Sequence, residues 1–208
     1  MPTNWEEQSL SGLTINFNLT TMKTLFASSF LFATLLLLGS CNDDADPVIE
    51  NEEELITTVK LTFTEGSNSF VAEWKDADGD GANLPTVDDI SLEAGKTYAV
   101  SVELLNESTT PADDISAEVS EEGTEHQFFF ITGDGLELTT TYDDQDADGY
   151  PIGLQNTFVA GVAGSGTLTV ILRHEPNKTA AGVRDGDATN AAGETDVETA
   201  PPFNVTIQ

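Results

Sequence analysis

The sequence predicts an all-β fold, an antiparallel β-sandwich of about eight or nine strands, and three observations carry it. Apolar and polar residues alternate with period two over several short segments. Turn residues separate those segments. The pattern then occurs a second time, 68 residues further on, and no long stretch has helical period.

In the first copy, Val59, Leu61 and Phe63 alternate with Thr58, Lys60, Thr62 and Thr64. Glu65-Gly66-Ser67-Asn68 turns the chain, and Phe70, Ala72 and Trp74 alternate again. After an aspartate-rich loop, Ile90 and Leu92 mark a short strand. Glu93-Ala94-Gly95-Lys96 turns, and Tyr98, Val100, Val102 and Leu104 form a fourth strand. In the second copy the strands are His126 to Thr132, Glu137 to Tyr142, Asn156 to Ala160 and Gly166 to Arg173, with Gly133-Asp134-Gly135 as the first turn. Phe203, Val205 and Ile207 look like a third copy of the opening strand. Ile115 to Glu122 is the nearest approach to a helix, a turn or two at most. Such alternation means one face buried and one wet.

The copies align without a gap. Leu61-Thr62-Phe63-Thr64 falls on Phe129-Phe130-Ile131-Thr132, and Val100, Val102 and Leu104 fall on Leu168, Val170 and Leu172. This alignment leaves Phe128 and Phe130 surplus to the inner face. Four short strands bury little alone. Two units, about 57–124 and 125–192, are therefore expected to pack face to face as one immunoglobulin-like sandwich over residues 55–208, an internal duplication. Strand 203–208 is expected to close an edge.

The chemistry-bearing motif also occurs twice, as Asp76-Ala77-Asp78-Gly79-Asp80-Gly81 and Asp144-Gln145-Asp146-Ala147-Asp148-Gly149. Alternate carboxylates followed by glycine let three oxygens converge on a hard cation, as in the first half of a calcium loop. The twelfth positions are Val87 and Gln155, not glutamate, and the flanks are strands, so these are not EF-hands. Topology puts the end of each fourth strand beside the loop. The expected Ca²⁺ sites are Asp76, Asp78 and Asp80 with Glu107 or Asp88, and Asp144, Asp146 and Asp148 with Glu175. The acidic groups around Asp113-Asp114 and around Asp185, Asp187, Glu194 and Asp196 read as solvated loop.

Cys41, the only cysteine, ends the run Leu38-Gly39-Ser40-Cys41. Lys23 precedes an apolar stretch, Leu25 to Leu38, which as a helix spans about 21 Å against the roughly 30 Å of a bilayer core. Charge, apolar run, small residues and cysteine in that order resemble the lipobox of bacterial lipoproteins, with lipidation at Cys41 after removal of 22–40. Residues 1–21 carry Glu6 and Glu7 where a leader is basic, so Met22 is the expected start. Residues 41–54 read as an acidic tether. With 37 acidic against 7 basic residues, the chain has a net charge of −30. That excludes nucleic acid as a partner and favours cations.

His126 and His174 lie in opposite halves and read as surface histidines at strand ends. No nucleophile elbow, phosphate loop or zinc-ligand spacing occurs, so a non-enzymatic role is expected.

Glu125-His126-Gln127, Leu172-Arg173-His174-Glu175-Pro176-Asn177, Gly186-Asp187-Ala188-Thr189-Asn190 and Gly193-Glu194-Thr195-Asp196, together with the aspartate loops, resemble a family of small lipoproteins of flavobacteria and other Bacteroidota. Asp43 and Asp44 resemble the export signal of surface lipoproteins in that group. The resemblance implies an outer-membrane lipoprotein, periplasmic or surface-exposed, and no activity. The "type 1 periplasmic binding fold" label sometimes given to such proteins describes a large α/β architecture, for which this chain is too short and too strand-rich. The expected function is a calcium-stabilised envelope binding module. A metal- or substrate-capture accessory of an outer-membrane transporter and, least favoured, a glycan-active enzyme are the alternatives. A surface protein, a transporter or a glycan is the expected partner class.

Overall fold

The computed structural model describes residues 55–79 and 83–208. The leader, Cys41, the tether and Asp80 lie outside the described residues. The described chain is an all-β sandwich of two packed sheets with the main apolar core between them.

The first half supplies β1 (Thr58–Glu65), β2 (Asn68–Lys75), β3 (Thr86–Val87), β4 (Ile90–Leu92), β5 (Thr97–Asn106) and β6 (Asp113–Asp114), then helix α1 (Ile115–Glu121). The second supplies β7 (His126–Gly133), β8 (Leu138–Tyr142), β9 (Gln155–Ala160), β10 (Gly164–His174), β11 (Glu194–Glu198) and β12 (Phe203–Ile207). One sheet runs β3-β2-β1-β5-β9-β8, with β6 also on β5; the other runs β11-β10-β12-β4, with β7 also on β10.

In each half the first and fourth strands pair, β1 with β5 and β7 with β10. The third strand crosses to the opposite sheet, β9 beside β5 and β4 beside β12. The second strands differ. β2 stays on β1 through a tight turn at Gly66, whose φ of 58° suits glycine, whereas β8 leaves β7 and pairs with β9. β12 lies between β10, antiparallel, and β4, parallel. β11 and β12 follow one another along the same side of β10, separated by Pro201 and Pro202, which have no N–H to give a ladder.

α1 is as short as the sequence predicts. Asp114 caps it by accepting from the Ser116 N–H at 3.1 Å, and Ser116 Oγ accepts from Leu104 N–H at 2.7 Å. Ile115 and Val119, one turn apart, are its buried residues and turn it onto the end of the sandwich.

β7 departs from the gapless alignment by one residue. In the first half Leu61 faces Val102; the same register in the second would set Phe129 opposite Val170. Instead Phe130 faces Val170 and Phe128 faces Leu172. A one-residue slip exchanges the faces of a strand. Phe128 and Phe130, surplus by sequence, therefore enter the main core, while Phe129 turns outward. Phe129 is not exposed. It packs with Ile171, Val183 and Ala191 beneath the segment carrying two short 3₁₀ turns, Val183–Asp185 and Ala188–Asn190. Gln127 anchors that segment, its Nε2 donating to Val183 O at 2.7 Å. The observed register buries three phenylalanines; the alternative would direct two of them away from the main core.

This register has a measurable consequence. Phe128→Ala should cost about 3–5 kcal/mol in urea unfolding. Ile131→Ala, at a side chain 39% exposed, should cost under about 1 kcal/mol. The reverse order would contradict the register.

Candidate functional site

One end of the sandwich gathers both aspartate loops, α1 and the ends of β7, β10 and β11. The two loops solve the same electrostatic problem differently.

In the first loop, Asp76 accepts from the Gly79 N–H at 3.2 Å, and Asp78 accepts from the Asn83 backbone at 3.0 Å and from its side chain. The two carboxyl groups also meet each other. The hydrogen bond with Asp78, then burial, pushes Asp76 above the usual carboxylate range, while that same bond and Asn83 hold Asp78 below it. Glu107 lies at this end, as the topology predicts, but pairs with Lys75. Asp88 accepts from the Glu73 N–H at 3.0 Å on the neighbouring strand.

The second loop is closed by donors. Asp144 accepts from the N–H groups of Gly153, Leu154 and Gln155 at 2.7, 2.7 and 3.0 Å. Asp146 accepts from the N–H groups of Asp148 and Tyr150, both at 2.9 Å, through one oxygen. Its other oxygen meets Lys178 Nζ at 2.8 Å. That ammonium also donates to Gly123 O at 2.5 Å and Pro151 O at 3.0 Å, so all three of its protons are matched. The two side chains are only 5% and 1% exposed. Burial pushes Lys178 below its ordinary value, against the pull of Asp146. Burial alone would raise Asp146, but Lys178 and the backbone donors outweigh it and hold the carboxyl below the usual range. Arg184 braces the loop from outside, donating to Gly149 O at 3.0 Å and lying over the Tyr150 ring. Glu175 does not join these aspartates: its carboxylate lies with Glu125 and His174.

The histidines, read as separate surface residues, are direct cross-strand partners, His126 on β7 opposite His174 on β10. Their rings stack at 4.8 Å with 9° between planes. Both continue inward-facing rows, Phe130-Phe128-His126 and Val170-Leu172-His174, to the open end of the core. Burial lowers the His126 pKa, against the Glu122 carbonyl and Asp196. His126 Nδ1 lies 3.2 Å from Glu122 O, an acceptor, so the proton sits on Nδ1 and leaves Nε2 facing Asp196 at 3.6 Å. His174 Nε2 lies 3.7 Å from Glu125 Oε2.

These groups open on a cavity of about 940 Å³. Its floor is apolar, with Ile56, Ile115, Val119 and Leu172. Its wall carries Glu118, Glu122, Glu194 and Asp196, and no lysine or arginine lines it among the described residues. Glu194 and Asp196, expected in a solvated loop, stand on β11. The pairing of the first and fourth strands brings positions 126 and 174 together only in the slipped register.

No family model matches the chain, and no curated protein or solved structure matches it. No helix among the described residues is long and apolar enough to cross a membrane.

Lys178→Met should leave Asp146 as an uncompensated buried charge and cost about 3–5 kcal/mol in urea unfolding at pH 7. Because Asp146 is lowered in the folded state, its contribution is fully present above the unfolded value near ~3.9 and is lost as pH falls through the folded value. Asp146→Asn should remove that share of the acid dependence below about pH 4.

Proposed function

We propose that this protein is a non-enzymatic envelope lipoprotein, anchored through Cys41 at the outer membrane, that captures a cationic ligand in the cavity at its acidic end. The observation that carries the reading is the lining of that cavity: carboxylates and imidazoles over an apolar floor, with no lysine or arginine among the described lining residues. A net charge of −30 draws cations toward this lining. The run Leu38-Gly39-Ser40-Cys41 supports the anchor. Delivery of the captured ligand to an outer-membrane transporter belongs to the same proposal, because the cavity is open at one end of the domain.

Calcium enters as a structural ion at the first aspartate loop, where Asp76 and Asp78 face one another and a cation relieves their repulsion. The second loop already holds its own cation, the Lys178 ammonium.

Thermal unfolding against calcium, magnesium, zinc, spermidine and arginine tests both parts. A ligand at a hundred times its dissociation constant adds about 2.7 kcal/mol, several degrees in Tm. The expected result is a calcium shift that Asp78→Asn removes, and a second cation whose shift is lost in the Glu194→Gln/Asp196→Asn double variant. A Tm unmoved by every cation would reject the reading.

A further inference from the structure

At the edge of that cavity, which His174 and Glu175 line, and resting on the cation-capture reading, we propose a binding site for a divalent transition-metal ion formed by Glu125, His174 and Glu175. The ligand atoms of these three residues all lie within 4.8 Å of one another, a grouping no other set of three or more His, Cys, Asp and Glu residues achieves among the described residues. Ligands about 2.1 Å from a tetrahedral ion stand roughly 3.4 Å apart. His174 Nε2 and Glu125 Oε2, at 3.7 Å, need only a small closure to reach that spacing.

The backbone is arranged to bring the three together. Glu125 immediately precedes β7, His174 ends β10 and Glu175 follows it. Adjacent residues on a strand point to opposite faces. Glu175 escapes this because its φ is 50°, a left-handed conformation costly for glutamate. Its carboxylate thereby reaches the same place as the His174 ring. The Glu175 N–H donates to Glu125 O at 2.6 Å and ties the two chain segments together. Gly193 lets β11 approach: a Cβ there would stand 2.2 Å from His174 O. His126 is a positioning residue. Its ring, fixed by Glu122, lies parallel to that of His174 and holds it toward Glu125.

The donor set selects the ion. Calcium takes six to eight oxygens, which one imidazole and two carboxylates do not provide. An imidazole with carboxylates suits zinc, manganese, iron or cobalt, and three protein ligands leave a coordination position open to the cavity.

The test titrates zinc, and cobalt as a spectroscopic probe, into the chelator-stripped protein by calorimetry and visible absorption. One equivalent should bind and resist excess calcium. His174→Gln and Glu125→Gln should each weaken it at least tenfold. His126→Phe, which keeps the stacked ring, should stay within a few-fold of wild type, whereas His126→Ala should not. Circular dichroism checks folding. Should a variant unfold, the imidazole ¹⁵N resonances of the wild-type protein decide, with His174 Nε2 expected to shift on zinc addition. No zinc binding, or binding unchanged in His174→Gln, overturns the site. If zinc fails while another cation still acts through Asp196, the metal site falls and the cation cavity stands. If every cation fails, both fall.

Discussion

The register of β7 on β10 is the constraint on which the rest depends. Side chains alternate across a strand, so one register choice sets all eight residues of β7 at once. The choice that buries Phe128 and Phe130 also turns His126 inward, because the three share a face. β10 carries Leu168, Val170 and Leu172 inward and therefore His174 as well. Apolar packing of these rows thus sets two imidazoles at the mouth of the core.

Charge is the second organising term. The domain concentrates carboxylates at one end, and each cluster finds a different partner. Glu107 takes Lys75, Asp146 takes Lys178, and Asp144 takes three backbone N–H groups. Among the described residues that line the cavity there is no lysine or arginine.

Much of the architecture was legible in the sequence, because period-two alternation is a direct image of burial. The four main strands of each half, the short helix and the inward rows of β5 and β10 follow from it, whereas the two-residue β3 and β6 do not. Three things were not legible. The gapless alignment hid the slip at β7, since Phe128, Phe129 and Phe130 are all apolar and periodicity cannot choose between faces. β11 was missed because Glu194-Thr195-Asp196-Val197-Glu198 has a single apolar residue and draws its stability from the ladder on β10. The Asp146–Lys178 contact spans 32 positions and depends on the fold of the intervening chain. The histidine pair followed only once the strand pairing was known, so the candidate site was reached through the fold rather than through a motif.

The position of β12 bears on how the molecule is made. Among the described strands it comes last in chain order, yet it lies between β10 and β4, which no other described strand connects. One sheet can assemble as soon as β9 and β8 are available, while the other waits for β12. Until then β10 and β4 present bare edges, and the half-built domain is a target for proteases and for other strands. Closing this sheet brings Ile90 to Val205, a pairing between distant parts of the chain, and such pairings fold slowly.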